Sequence, residues 1–355
     1  MKDEFLFLWA QWGILNLHQM QVVLKHFGDF ERAWKEVTPE FLRQLGMRFD
    51  KAQRVFEIRD KLSFSATLDV VQQFGIQLYF WEDEAYPAPL KALETAPPFL
   101  FVRGKLPSFH KSIAIVGTRS MSAYGQAMTE RFTSDLIREG FVVVSGLARG
   151  VDSVAHRTTL QNGGRTVAVM GTGVDLIYPS SNHRLAQEIL ESGGALMSSF
   201  PLGTPGLAHH FPKRNSIVAG LTRGTLVIEG GVKSGALITA RLALDYGREV
   251  FAVPGNVTQL ALSGTNHLIR NTMAKLVENA EHVLEDFGMQ VQAQAISHDF
   301  SKAERSILEQ LTTGPKNMDE LLAQTVFDVP QLSELLIYLQ LKSAVAQQGE
   351  RWSLV

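Results

Sequence analysis

The sequence predicts an α/β protein: a doubly wound, extended Rossmann-like parallel sheet, with a small helical N-terminal domain and a C-terminal winged helix. Three observations support this prediction. Short apolar segments alternate with helical segments through the middle of the chain, and both ends are dominated by helical patterns. The 355 residues are 45% hydrophobic and 20% charged, as in ordinary globular proteins. At about 150 residues per domain, two or three domains fit this length.

Residues 1–70 are predicted to form a small helical domain of the SAM-like or helix-hairpin-helix kind. Residues 19–27 place apolar side chains at helical spacing before a stop at Gly28, and residues 39–46 repeat that pattern up to Gly46. A bundle of this kind can bind the DNA backbone. The segment is net acidic, however, so an inert docking domain is favoured.

Residues 78–288 are predicted to form the sheet domain. Short apolar strands alternate here with helices, which indicates stacked βαβ units in a parallel sheet that is covered on both faces. The predicted strands are 112–116, 142–145, 166–170, 195–198, 225–229 and 249–253. The predicted helices are 124–139, 152–160, 182–191, a helix beginning at 213, and 236–246.

A polar linker at 289–300 is predicted to precede a winged helix at 301–355. Three helices, at 302–311, 317–324 and 331–341, come before a short β-wing at 344–354. The face of the third helix offers Gln331, Ser333, Glu334 and Lys342, which is a poor surface for the major groove of duplex DNA. Protein contact or a structural role is therefore favoured for this domain.

The composition excludes several classes of protein. The chain has no cysteine, which rules out disulfides, Cys-ligated metals and a thiol nucleophile. The chain opens on Met-Lys-Asp-Glu, which suits no secretory signal, and no apolar stretch is long enough to span a bilayer. We therefore expect a cytoplasmic protein with no membrane contact.

Positive charge is concentrated in the middle of the chain. Residues 101–225 hold 13 Lys and Arg against 7 Asp and Glu, a net charge of +6, although the whole chain has a formal net charge of −2. A basic segment in a near-neutral chain suggests a local anion site, and a solvated surface excess is the alternative.

Loops that follow the predicted strands carry the residues suited to an anion. Glycines permit close backbone approach, hydroxyls and helix N-termini donate hydrogen bonds, and arginine contacts phosphate in bidentate fashion. The candidates after the first two strands are Gly117, Thr118, Arg119, Ser122, Ser145, Gly146, Arg149 and Gly150. A basic run further along adds Lys213, Arg214 and Asn215. Several such elements at one sheet edge indicate an extended polyanion.

Nucleotide cofactors and catalysis are not indicated. The glycine loops lack the spacing of the dinucleotide fingerprint, and residues 230–235 have the residue types of a P-loop with the wrong spacing. Asp152 and His156 stand four apart on one helix, a spacing that more often gives a structural brace than a catalytic dyad. No nucleophile–base pair and no metal cluster stands out. We expect a binding protein with no catalytic residues, no metal and no cofactor.

At this point the motifs resemble a known family, the bacterial DNA-processing protein A family (DprA/Smf). The resemblance is strong over residues 80–288 and extends to the helical and winged-helix flanks. The motifs are Ile115-Val116-Gly117-Thr118-Arg119, Ser145-Gly146-Leu147-Ala148-Arg149-Gly150-Val151-Asp152, Lys213-Arg214-Asn215, Ser234-Gly235-Ala236-Leu237-Ile238-Thr239-Ala240, and Gly247-Arg248-Glu249-Val250-Phe251-Ala252-Val253-Pro254-Gly255.

The resemblance implies a homodimeric, non-enzymatic protein that binds single-stranded DNA in natural transformation. Such a protein would protect incoming strands and load the RecA recombinase onto DNA covered by single-strand-binding protein. By motif, Arg119 would bind phosphate, the glycine loops would shape the site, and Lys213, Arg214 and Asn215 would form another wall, with Ser234 and Gly235 also at the site. Ser216 stands where the family commonly has a second basic residue. Phe211 and Tyr178 are candidate base platforms, although a buried role is favoured for each.

Two other interpretations compete with this one. The first is a nucleotide-phosphate-binding enzyme that resembles the nucleoside monophosphate phosphoribohydrolases, but residues 229–237 lack the glutamate that such enzymes carry after the loop. The second is a nucleotide-sensing regulator whose winged helix binds duplex DNA. The neutral face of the third winged-helix helix counts against it.

Overall fold

The computed structural model describes residues 2–289, 300–341 and 344–354. The chain divides into two compact units, Met1–Phe287 and Gly288–Val355. Residues 290–299, most of the predicted linker, and Lys342 lie outside the described ranges. Within those ranges, the helices are all too short or too polar to cross a membrane.

The first unit begins with short helices that pack on one face of the sheet. They are α1 (Lys2–Trp12), α2 (Leu17–Phe27), α3 (Phe30–Glu36), α4 (Pro39–Gln44), α5 (Phe49–Arg59) and α6 (Phe64–Phe74). Side chains of Asn16, Asp29 and Thr38 cap the starts of α2, α3 and α4. Trp9 is buried in one hydrophobic cluster that also contains Ala168 and other sheet residues. The N-terminal helices therefore share a core with the sheet. The predicted domain boundary after residue 70 stays a prediction.

A nine-stranded sheet forms the centre of the first unit. Its strands are β1 (Ile76–Phe80), β2 (Phe99–Gly104), β3 (Ser112–Val116), β4 (Val142–Ser145), β5 (Thr166–Val169), β6 (Ala195–Ser198), β7 (Gly224–Val227), β8 (Glu249–Ala252) and β9 (Lys275–Leu276). The helices of this region are α7 (Ala88–Lys91), α8 (Ala123–Arg138), α9 (Val151–Gln161), α10 (His183–Glu191), α11 (His210–Leu221), α12 (Gly235–Asp245), α13 (Ser263–Arg270) and α14 (Ala280–Asp286).

The strand order is β1-β2-β6-β5-β4-β3-β7-β8-β9. The seven strands that lie side by side from β6 to β9 in this order are all parallel to their neighbours. Strand β2 runs antiparallel to both β1 and β6. The predicted doubly wound sheet is confirmed, with an antiparallel edge that the sequence did not predict. The chain moves outward from β3 to β6 and then returns to β7 beside β3, so the strand order reverses between β3 and β7. That reversal places the functional crevice.

Strand residues alternate between two hydrophobic layers. Val167 and Val169 of β5 belong to the layer under α11 and α12, and Ala168 between them belongs to the layer under the N-terminal helices. β3 to β7 are buried along their whole lengths. Strands covered on both faces are expected in a parallel sheet, which explains their nearly continuous apolar sequences.

The predicted elements of the core agree with the structure to within about two residues, with one exception. Helix α11 begins at His210, three residues before the predicted start at 213. Pro212 therefore lies inside the first turn, where a missing backbone N–H costs nothing because first-turn N–H groups have no partner in the helix. The proline is thus part of the helix and not a stop before it.

The second unit is a winged helix. It contains α15 (Lys302–Leu311), α16 (Met318–Gln324) and α17 (Val329–Leu341), together with a small sheet of β10 (Lys316–Asn317), β11 (Val345–Gln348) and β12 (Arg351–Leu354). Ile307, Leu332 and Trp352 meet in a separate hydrophobic core. Ser301 and Asn317 start α15 and α16 with capping boxes.

Candidate nucleic-acid interface

A cavity of about 790 Å³ opens at the carboxyl ends of β3, β4 and β7, where the strand order reverses. Ligand sites form at this position in open α/β sheets because loops and helix N-termini converge there. Many of the predicted site residues line the cavity. They are Gly117, Thr118, Arg119, Gly146, Arg214, Asn215, Ser234 and Gly235.

The remaining predicted residues lie around this cavity without lining it. Arg149 lines a smaller adjoining pocket of about 330 Å³, and Lys213 is exposed on α11. Ser145 is buried, and its hydroxyl donates to the carbonyl of Ile115 at 2.7 Å. The Ser122 hydroxyl accepts from the Gly125 backbone N–H at 3.0 Å and so caps α8. Both serine hydroxyls therefore hold the loops in place.

Gly150 brings two of the loops together. It precedes α9 with φ of +76°, in the region that favours glycine. A Cβ atom at Gly150 would clash with the Thr118 carbonyl oxygen and come within 2.9 Å of Arg119 Cα. The next residue, Val151, donates its backbone N–H to the same Thr118 oxygen at 3.2 Å. The β3 loop thus rests directly on the start of α9, which fixes the position of Arg119.

Arg214 occupies the floor of the cavity. It is only 4% exposed, and its guanidinium donates to the carbonyls of Gly146 and Val169 and to Asn215 Oδ1, the last at 3.1 Å. Burial lowers the pKa of Arg214 to about 10, opposed by the nearby Asp152 carboxylate. Its Nε and Nη1 atoms are thus used within the protein, and the predicted phosphate contact of Arg214 stays a prediction. Its position makes it a fixed internal cation under the ligand site.

Asp152 and His156, four apart on α9, are not hydrogen-bonded to each other. The Asp152 carboxylate accepts from the backbone N–H groups of Gly146 at 3.1 Å and Ala148 at 3.3 Å. Burial raises the pKa of Asp152, and Arg214 counteracts the shift. His156 lies 2.7 Å from Thr166 Oγ1, and its Nε2 atom is buried without a partner. The two side chains support the fold separately, and their geometry gives no catalytic dyad.

An aromatic wall faces the exposed cations. The Arg119 guanidinium lies 5.2 Å from the centroid of the Phe211 ring, within cation–π range. The Tyr178 ring is 5.6 Å from the Phe211 ring at 38°, and Tyr178 is 47% exposed. The expectation that Tyr178 is buried was wrong. Both rings line the cavity, so an aromatic face and a free arginine are available to one ligand.

Lys233 is a cavity residue that the sequence analysis missed. It is exposed in the loop between β7 and α12, and it lines the same cavity as Arg119. The signal is present in the glycine-rich run 230–235, although its spacing is wrong for a P-loop. This loop follows β7 at the point where the strand order reverses, which brings Lys233 to the cavity together with the predicted Ser234 and Gly235.

Fold and site together define an open α/β protein with a cationic, aromatic-walled cavity at its strand ends. Comparison with known proteins gives the family. A family model described as "DNA recombination-mediator protein A" matches residues 77–288, and the "DprA winged helix domain" matches residues 291–350. The chain belongs to this family, as its motifs predicted, and it is a DNA-processing protein.

Individual relatives agree with this assignment. Protein Smf of Escherichia coli is 42% identical over 70% of this chain and 67% of its own length, and Protein Smf of Synechocystis is 32% identical over 96% and 88%. The crystal structure of DNA processing protein A from Streptococcus pneumoniae matches with a TM-score of 0.66 and 34% identity, over 81% of this chain and 98% of that one.

A further similar structure is DNA processing protein A from Helicobacter pylori, which is described as having a unique single-stranded DNA binding mode. It matches with a TM-score of 0.54 and 27% identity, over 60% of this chain and 96% of that one.

Proposed function

We propose that this protein is a single-stranded-DNA-binding recombination mediator that protects incoming strands and loads RecA onto them during natural transformation. The observation that carries the proposal is the strand-end cavity. Its exposed cations, Arg119 and Lys233, line the same cavity as the aromatic side chains of Phe211 and Tyr178. The description of the Helicobacter pylori relative as a single-stranded-DNA-binding protein supports it.

A single strand differs from a duplex in that its bases are unpaired and accessible. Its phosphates pair with fixed cations, and its unpaired bases expose π-faces that stack on aromatic rings. A cavity with both features takes a single strand irrespective of its sequence. Duplex DNA keeps its bases stacked internally and cannot use Phe211 or Tyr178. We therefore expect a preference for single strands.

Several parts of the proposal come from family membership and not from the cavity. RecA and single-strand-binding protein are the proposed protein partners, and a homodimer in the cytoplasm is the proposed working form. We propose that the protein catalyses no reaction and needs no cofactor, so that the cavity binds DNA without changing it.

A titration tests the binding function. Labelled oligo-dT, a mixed-sequence single strand and a matching duplex are titrated with the full chain at two salt concentrations, with a test for hydrolysis of nucleoside monophosphates in parallel. Similar affinities for the two single strands, weaker duplex binding and a steep loss with salt support the proposal. Turnover of a nucleotide, or equal affinity for duplex and single strand, contradicts it.

A second assay tests the mediator function. RecA filament formation is followed on a single strand that is already covered by single-strand-binding protein. The full chain should shorten the lag before filament growth, and Arg119→Ala together with Lys233→Ala should remove that effect. An unchanged lag with the wild-type protein would leave a DNA-binding protein that does not load RecA.

A further inference from the structure

Glu229 is a buried carboxylate at the centre of the loop cluster, and the functions above do not use it. It follows β7 at the reversal point of the sheet and is completely buried. Its oxygens accept from Ser122, from the backbone N–H at 3.0 Å and from the hydroxyl at 3.0 Å. Among the described residues, no other side chain or backbone group hydrogen-bonds to this carboxylate.

The carboxylate is fitted closely against the start of α8. Ser122 donates its hydroxyl to Glu229 and accepts from the Gly125 backbone N–H, which links the carboxylate to the first turn of the helix. A Cβ atom at Gly125 would clash with Glu229 Oε2, so glycine is required there. The first turn and the carboxylate therefore leave no space between them for another anion.

The backbone of Glu229 ties down the same loop from the other side. Its carbonyl oxygen accepts from the Thr118 N–H at 2.7 Å, one residue before Arg119. The loop from Thr118 to Ser122 is thus attached to Glu229 at both ends. Arg119 lies between these attachments, so Glu229 holds its loop together with the contact at the start of α9.

We propose that Glu229 is a built-in anion that occupies the position at the start of α8 where an open α/β protein would otherwise bind a nucleotide phosphate, and that it positions the Arg119 loop. The N-terminus of the helix after the first parallel strand favours anions because of its N–H groups and the helix dipole. Glu229 supplies that negative charge from within the chain. Phosphate groups of a ligand are consequently directed to Arg119 and Lys233 in the open cavity.

The test removes the carboxylate by mutation and then adds formate, a small carboxylate, to the solution. In Glu229→Ala, sodium formate should restore the thermal midpoint and the affinity for oligo-dT, whereas sodium chloride at the same ionic strength should not. Without formate, the affinity for oligo-dT should fall about tenfold, the size of one lost charge-assisted hydrogen-bond network. Removing a negative charge would by itself strengthen binding of a polyanion, so a loss of affinity reports positioning.

Two further variants keep the outcome decisive. Ser122→Ala weakens the cap but retains the carboxylate, so formate should not stabilise it. Glu229→Gln keeps the volume and carries the test if Glu229→Ala does not fold, and its affinity for oligo-dT should fall below that of the wild type. Wild-type affinity in Glu229→Gln, or a defect in Glu229→Ala that formate does not repair, would overturn the inference.

The loop-positioning part of this inference rests on the proposed function, and the two fail differently. If wild-type protein did not bind oligo-dT, the proposed function would fail, while recovery of the thermal midpoint by formate would still report the built-in anion. If wild type bound and Glu229→Ala bound equally well without formate, the inference would fail and the DNA-binding function would stand.

Discussion

At the scale of single residues, His156 shows how burial controls stability. Burial lowers the pKa of His156 to about 3, from an ordinary value of 6.5. Thr166 Oγ1 donates to the Val143 carbonyl at 2.7 Å, so it accepts from the Nδ1–H of a neutral imidazole. Between pH 6.5 and pH 3 the unfolded chain therefore binds a proton that the folded chain does not, and the folded state loses stability as the pH falls.

Replacing this histidine should flatten the pH dependence of folding. His156→Asn keeps a donor to Thr166 and removes the titrating ring. Between about pH 7 and pH 5 the wild type should lose about 2 kcal/mol more than the variant in free energy of unfolding, measured by denaturant titration. His183→Asn, at an exposed position on α10, should keep the wild-type pH dependence. A variant at 156 that loses as much as the wild type would show that this imidazole is protonated in the folded state.

Arg214 is predicted to act mainly on stability. Arg214→Ala should lower the free energy of unfolding by about 3 to 5 kcal/mol, because the Asp152 carboxylate would be left buried without its cation. Arg214→Lys restores the charge but cannot reach Gly146, Val169 and Asn215 together, so it should recover part of the loss. Chemical denaturation of the three proteins measures this. A loss under about 1 kcal/mol in Arg214→Ala would mean that the guanidinium is replaceable by water.

At the scale of elements, Gly150 joins the β3 loop to α9, and a substitution there should disturb DNA binding. Gly150→Ala introduces a Cβ against the Thr118 carbonyl and should cost about 1 to 3 kcal/mol in stability. The displaced Arg119 loop should also weaken oligo-dT binding. Fluorescence anisotropy measures the affinity, and thermal unfolding measures the stability.

The same helix provides the control. Gly163 follows α9 with φ of +68°, and a Cβ atom added there would meet no other atom within 4 Å. Gly163→Ala should therefore cost stability through backbone conformation alone and leave oligo-dT affinity unchanged. If both variants weakened DNA binding equally, general destabilisation would explain the effect, and the contact between Gly150 and Thr118 would not.

The third helix of the winged helix, α17, has an uncharged or acidic exposed face. On α17, Gln331, Glu334, Ile337 and Tyr338 are exposed, and Ile337 and Tyr338 are 56% and 50% exposed. Neither lysine nor arginine occurs between Val329 and Leu341. A helix without lysine or arginine gains little electrostatic attraction to phosphates, and the role of this domain in protein contact or structure stays a prediction.

In the whole molecule, the sequence predicted the parallel centre of the sheet and the winged helix. Hydrophobic patterning located β3 to β8, since each is a short apolar segment between helices, and glycine-rich turns marked several of their carboxyl ends. The parallel strand β9 was missed, because its two residues are exposed and form no apolar segment. The antiparallel edge formed by β1 and β2 was not predicted, because strand direction depends on pairing with β6, which is distant in sequence. The family motifs located much of the cavity lining, because the loops that form the cavity need glycines at particular positions and those glycines make the motifs recognisable.

What the sequence could not supply was the use to which each polar group is put. Arg119 and Arg214 are both arginines in loops or helix starts near the crevice, but Arg119 is exposed, whereas Arg214 is buried and uses its Nε and Nη1 atoms within the protein. That difference arises from the hydrogen bonds of Arg214 to the carbonyls of Gly146, just after β4, and Val169, at the end of β5, which are distant from it in sequence. Lys233 was missed because only the folded structure shows that the loop between β7 and α12 reaches the cavity.

If single-stranded DNA binds by its phosphates in the strand-end cavity, replacing Arg119 should change the salt dependence of binding. The measurement is the slope of log K against log salt concentration for oligo-dT, with wild type, Arg119→Ala and, as control, Arg138→Ala at the other end of α8. Arg119→Ala should weaken binding and reduce the slope by about 0.7, the value of one phosphate contact on a single strand, whereas Arg138→Ala should match wild type. An Arg119→Ala protein with wild-type affinity and slope would place the DNA elsewhere on the molecule.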